Sequence, residues 1–183
     1  MSNENETMTT NNTELTNHEG GVPKMLSEYR QHAAERKALG IPALPLNAEQ
    51  VKTLTSLLEK PTDKDETELI HLLSEQIPPG VDEAAFIKAS WLRQIAQGTK
   101  KSPLITPIKA THLLGTMIGG YNVTALIELL ENNNKDIAKC AAQGLSQTLL
   151  VYDTVNDVIE LAQTNPYAKR IVESWANAQW FTS

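Results

Sequence analysis

The side chains that could do chemistry are few and scattered. Nucleophilic or redox work would fall to Cys140, the one cysteine among 183 residues. A single thiol is too few for a disulfide within the chain, a zinc site or an iron–sulfur site, and inside a helical pattern it reads as a buried, inert thiol. His18, His32, His71 and His112 have no second histidine or cysteine at ligand spacing. Asp63, Asp65, Glu66 and Glu68 lack the spacing and the glycine of a calcium loop. Ser102 and Ser146 have no nucleophile-elbow context. Gly119-Gly120 lacks the patterns of a phosphate loop, and Lys100-Lys101 and Lys169-Arg170 are small solvated basic pairs. No catalytic, metal-binding or cofactor-binding constellation emerges, so the expectation is a chain with no cofactor.

Composition points the same way. Aromatic residues make up 5%, low for a β-sandwich, and the net charge is −6. Four of those negative charges lie in the first 23 residues, which leaves a mildly acidic body of −2. Such a body offers no field for nucleic acid, whose binding rests on phosphate neutralisation. No apolar run approaches the roughly 18 residues of a membrane span, and the N-terminus has neither the basic start nor the apolar stretch of a secretory signal. A lone cysteine fits a reducing, cytoplasmic setting.

The elements are helical throughout. Residues 1–23 are polar and are expected to be a disordered tail; residues 24–183 form the folded domain. The first helix spans Lys24–Leu39 and is followed by the extended IPALPL connector. The second opens on Asn47 with Gln50 in a capping box and buries Val51, Leu54, Leu57 and Leu58. The third uses Leu69, Leu72, Leu73 and Ile77 and stops at Pro78-Pro79-Gly80. The fourth starts at Asp82 and buries Ala84, Ile87, Trp91, Leu92 and Ile95. Thr106-Pro107 opens the fifth.

The central stretch is LLGTMIGGYN, Leu113–Asn122. Ala110, Leu113, Leu114 and Met117 form a buried stripe. Gly119 and Gly120 are expected to close the fifth helix as C-cap and hinge. Tyr121 should pack across the junction of the fifth and sixth helices, and Asn122 should cap the sixth. Two roles are open for this turn, a structural one and a contact surface for a partner. The sixth helix uses Val123, Leu126, Ile127 and Leu130. The seventh uses Ile137, Ala141, Leu145 and Leu149. The eighth, capped by Asp153 or Thr154, uses Val155, Val158, Ile159 and Ala162. Asn165-Pro166 starts the ninth, with Ala168, Ile171, Val172 and Trp175 inward, and Ala178–Phe181 forms a last apolar hook. No strand signal competes. About nine helices in antiparallel pairs predict an all-α fold, a HEAT-like α-solenoid.

Six blocks carry a resemblance. MLSEYRQHAAER (Met25–Arg36), PPGVDEAAFIKA (Pro78–Ala89), KSPLITP (Lys101–Pro107), LLGTMIGGYN, LSQTLLVYD (Leu145–Asp153) and YAKRIVESWANAQWF (Tyr167–Phe181) stand in the order found in the N-terminal region of bacterial aconitase B. The chain resembles that family from Met25 to Phe181. The resemblance implies a HEAT-like helical domain. In the family this domain precedes those that bear the [4Fe–4S] cluster, the substrate arginines and the serine base of aconitate hydratase 2 / 2-methylisocitrate dehydratase. None of those catalytic residues maps onto this chain. Residues 1–24 read as an extension or as an over-called start, and Ser183 falls where the helical domain would hand over to the next.

Two functions follow as expectations. One is a free-standing, non-catalytic interaction scaffold whose partner is an aconitase or another metabolic enzyme, with a homo-oligomer left open. The other is an N-terminal fragment of an aconitate hydratase, active only with its iron–sulfur domains. RNA binding, which some aconitases perform without their cluster, is disfavoured by the near-neutral body.

Overall fold

The computed structural model describes residues 18–19, 22–62, 64–148 and 154–177. Among them run nine α-helices: α1 Lys24–Ala38, α2 Ala48–Glu59, α3 Glu66–Glu75, α4 Glu83–Ala96, α5 Pro107–Gly115, α6 Val123–Leu129, α7 Lys135–Ser146, α8 Val155–Leu161 and α9 Pro166–Ala176. The fold is all-α, as expected. The sequence carries no strand signal, yet His18–Glu19 (β1) and Val22–Pro23 (β2) pair antiparallel, His18 opposite Pro23. Residues 1–17 of the expected tail, Leu149, Asp153 and the Ala178–Phe181 hook lie outside the described residues. Among those described, no helix is long and apolar enough to cross a membrane.

The chain forms two compact units, one ending at Leu44 and one starting at Pro45. In the first, the proline-rich connector folds back on α1. His32 Nε2 accepts the Leu44 N–H at 3.0 Å, and Arg36 Nε donates to the Pro42 carbonyl at 2.5 Å. Gly40, at φ +71°, makes the turn between them.

In the second unit, α2, α4, α5, α7 and α9 form a row in which each packs on the next. Helix α3 lies against α2, α6 against α5 and α7, and α8 against α9. This nearest-neighbour ladder is the pattern an α-solenoid requires. Its apolar seam includes Leu54, Leu58, Leu92, Ile95, Leu114, Leu126 and Leu145, all essentially inaccessible. The stripes are narrower than the periodicity suggests. Leu57, Ile87, Ile127, Val172 and Trp175 are half-buried, and Ile159 is exposed because only Val158 of α8 turns fully inward.

Local signals set most helix starts. Asn47 Oδ1 accepts the Gln50 N–H at 3.0 Å while Gln50 Oε1 accepts the Asn47 N–H at 2.9 Å, a complete capping box. Asp82, Thr106, Asn134 and Asn165 each accept a backbone N–H of the turn they open. Asn165 also donates to the Leu130 carbonyl at 2.9 Å, fixing the start of α9 against the end of α6.

Two long-range devices hold the row. Glu59 Oε1 accepts from Trp91 Nε1 at 2.8 Å and from Lys100 Nζ at 2.7 Å, joining α2, α4 and the connector before α5. Ser102 Oγ donates to the Leu58 carbonyl and accepts the N–H groups of Leu104 and Ile105, so this serine is an organiser of the connector. The second device is steric. A Cβ on Gly144 of α7 would stand 2.8 Å from Gly115 Cα of α5, and one on Gly115 would stand 3.0 Å from Gly144 Cα. The helices cross backbone to backbone.

Gly144→Ala tests this crossing. In an open helix the change would stabilise by about 1 kcal/mol through propensity. Here overpacking should reverse the sign and cost about 1–3 kcal/mol, read as a lower thermal midpoint. A stabilised variant would mean the two backbones are not in contact.

The Glu59 clamp makes a pH prediction. Burial pushes its carboxyl pKa up, but the hydrogen bonds from Lys100 and Trp91 and the charges of Lys100 and Lys60 outweigh it and hold the pKa below the usual value. A depressed pKa gives stability that is present above the unfolded value and lost as pH falls through the folded one. Wild type should therefore melt higher than Glu59→Gln at pH 7, and the gap should close below about pH 4. A gap constant down to strong acid would show that the carboxylate charge plays no part.

Candidate functional site

The stretch after α5 meets the loop before α4. Helix α5 ends earlier than the sequence suggests: its C-cap is Thr116, whose Oγ1 turns back to the Leu113 carbonyl at 2.7 Å. Gly119 and Gly120 therefore do not close the helix. They shape a separate turn, and for different reasons.

Gly120 has φ +91° and open space where a Cβ would go, so its requirement is conformational. Gly119 has no left-handed φ. A Cβ there would overlap the carbonyl of Gly80, so its requirement is room for a second backbone. Beside it, the Ile118 N–H donates to the Pro79 carbonyl at 3.1 Å. Tyr121 reaches the same loop through its hydroxyl, which donates to the Val81 carbonyl at 2.8 Å. Its ring stands edge-on to Phe86 of α4, centroids 5.4 Å apart. Tyr121 thus ties the turn to the start of α4.

Asn122 also departs from expectation. It precedes α6 but has helical φ and makes no side-chain cap. The side chain is fully buried and points back, with Nδ2 donating to the carbonyls of Leu114 at 2.7 Å and Met117 at 3.0 Å. It thereby adds a second donor to the Leu114 carbonyl, which also accepts the Met117 N–H at 3.2 Å, and supplies a donor to the Met117 carbonyl beyond the helix end. Its Oδ1 is buried without a partner among the described residues. Met117 is buried beneath the turn.

The outer surface of this junction is apolar. Val81 is 71% exposed, Ile118 64%, Phe86 52% and Tyr121 41%. A cluster of large apolar side chains on a hydrogen-bonded, glycine-tightened frame is a surface suited to a partner. The sequence singled out Met117, Gly119, Gly120, Tyr121 and Asn122. It missed the Pro78–Val81 loop and Phe86 as their counterparts, since nothing local links positions about forty residues apart.

Other chemical candidates have structural places. Cys140 is half-buried, and burial pushes its thiol pKa up, away from a reactive thiolate. His71 and His112 are exposed on separate helices. Asp65 is buried and accepts from Thr62 Oγ1 at 2.7 Å, while Asp63 lies outside the described residues. Lys169 and Arg170 are exposed. Among the described residues no three His, Cys, Asp or Glu side chains are grouped to hold a metal.

Comparison with known proteins gives a consistent match. The family model described as the aconitate B N-terminal domain covers residues 28–181. The chain is 53% identical over 157 residues to aconitate hydratase B of Synechocystis sp., covering 86% of this chain and 18% of that protein. It is 51% identical over 158 residues to aconitate hydratase B of Escherichia coli K12, again 86% and 18%. Against the Helicobacter pylori protein of the same name it is 46% identical over 157 residues. The chain therefore spans 18% of the length of these relatives.

The two glycines should respond differently to alanine. Gly119→Ala forces the Gly80 backbone away and should cost roughly 2 kcal/mol or more. Gly120→Ala meets no atom and should cost about 1 kcal/mol through φ alone. Chemical denaturation of both variants measures the order, and the reverse order would refute the close approach.

Proposed function

Since the chain belongs to the aconitate B N-terminal domain family, we propose that it is a non-catalytic docking module whose partner is an aconitate hydratase polypeptide. The observation that carries this reading is the apolar face of Val81, Phe86, Ile118 and Tyr121. Val81, Ile118 and Tyr121 are tied together by the Ile118–Pro79 and Tyr121–Val81 hydrogen bonds, and Phe86 is held in the first turns of α4. A preformed surface loses little freedom on binding, which favours association.

The residues do not fit an iron–sulfur cluster. Such clusters are held by several cysteine thiolates; this chain has one cysteine, and burial keeps it protonated. No reaction step is assigned to the chain itself. A single free thiol also suits the reducing cytoplasm.

A second reading is favoured by one observation, that the chain spans 18% of its relatives. On it, the same helices are the N-terminal part of an aconitate hydratase, contributing to citrate–isocitrate interconversion only with the cluster-bearing domains. The apolar face would then meet those domains within one assembly.

The test combines activity and binding. After anaerobic treatment with iron and sulfide, the chain alone should stay colourless and should not interconvert citrate and isocitrate. It should sediment with an aconitate hydratase B lacking its own N-terminal domain. Val81→Ser with Ile118→Ser, at the two most exposed positions of the face, should weaken that complex by roughly tenfold or more at an unchanged thermal midpoint. Cluster-dependent turnover by the chain alone, or a complex indifferent to the double substitution, would overturn the proposal.

A further inference from the structure

A cleft of about 450 Å³ opens between the end of α3, the middle of α4 and α5. Its floor includes Ile77, Leu113 and Met117, all buried, and Lys88 of α4. Lys88 is 2% exposed, an unusual depth for a lysine. Its neighbours on α4, Ala84, Ala85, Ala89 and Leu92, are core residues, so the helix carries a cation on its inward side. Glu75 raises the Lys88 pKa through space, but burial outweighs it and lowers the pKa overall. Among the described residues the ammonium makes no hydrogen bond or ion pair, whereas Lys24, Lys52 and Lys100 all have carboxylate partners.

The Lys88 stem is buried, and its ammonium keeps only a small accessible surface; a cation with so little hydration and no hydrogen-bonded counter-charge is costly. The cleft supplies a place for one. Lys109 and His112, exposed on α5, stand at its rim, and the Ser74 hydroxyl lines it. Glu75 is the acidic side chain in the lining, set against two lysines. No aromatic ring other than the His112 imidazole lines the space, so it lacks the stacking platform a nucleotide base would use. Its volume matches a small molecule.

We propose that this cleft binds a small oxyanion, a carboxylate or a phosphate, with Lys88 as the counter-charge at its base and Lys109, His112 and Ser74 as rim contacts. The apolar floor lowers the local dielectric, which strengthens the central ion pair. Lysine rather than arginine at the base suits a compact point charge with rotatable donors. The cleft borders the frame of the apolar docking face at Pro79 and Met117 but uses none of the exposed side chains of that face, and its test needs no aconitate hydratase partner.

The experiment is a titration of the full chain, labelled with nitrogen-15, by inorganic phosphate and separately by succinate. Ionic strength is held constant with chloride. Saturable amide shifts centred on Ser74, Lys88, Lys109 and His112, with α7 to α9 unmoved, are expected for at least one anion. The tighter of the two identifies the class. Lys88→Met keeps the aliphatic stem and removes the charge. It should weaken that anion by roughly tenfold or more while the unliganded thermal midpoint holds or rises. Absence of saturation with both anions overturns the proposal, as does equal binding by Lys88→Met, or shifts spread evenly over the surface lysines. Should Lys88→Met fail to fold, the wild-type shift map alone decides.

Discussion

Helix α5 is pressed against α7 at a point where neither has a side chain. With Gly115 and Gly144 facing each other, the two backbones approach closer than any pair of Cβ atoms would allow. The rest of the ladder inherits its geometry from this crossing. Leu114 and Leu145, each next to one of the glycines in sequence, are driven into the seam. Helix α9 then packs on α7, and Trp175 donates its indole N–H to the Leu145 carbonyl at 3.3 Å. A methyl group at either glycine would move not one contact but the register of three helices. Glycine's intrinsic cost in a helix, about 1 kcal/mol, is the price of that approach.

The junction of the 78–81 loop with the 116–122 turn repeats the same physics in irregular backbone. Gly119 gives room, Gly120 gives curvature, and the buried Asn122 amide joins the turn to the end of α5 through the Leu114 and Met117 carbonyls. Buried peptide groups without partners are costly, and the amide supplies a donor to the Met117 carbonyl beyond the helix end. The result is a rigid frame that can carry Val81, Phe86 and Ile118 outward without collapsing around them. Stability and exposure are connected here: the apolar face remains open because hydrogen bonds, not its own burial, hold its backbone.

Polar groups elsewhere fall into two kinds. Glu59 takes a ring N–H and an ammonium on one oxygen. Exposed pairs such as Arg93–Glu128, 2.6 Å apart, join α4 to α6 but contribute little individually. Lys88 belongs to neither kind, a cation at core depth with only through-space influence from Glu75. That contrast is what separates it from an ordinary surface lysine.

Much of this was legible in the sequence. The helix periodicity, the capping box at Asn47, the caps at Asp82, Thr106 and Asn165, and the family blocks are local patterns, and local patterns act through neighbours three or four residues apart. They determined the all-α fold, most helix starts and the family. They did not determine why individual glycines are there. Gly119 looked like a helix cap and is a contact with Gly80; Gly144 looked like nothing and is a helix crossing. Asn122 looked like an N-cap and is a buried donor to the preceding helix. Phe86 of α4 meets Tyr121 thirty-five residues on, and Lys88 borders a cleft lined by residues of α3 and α5. In each case the deciding partner is distant in the chain. Sequence periodicity encodes which face of a helix is apolar, but only packing decides which atoms that face will meet.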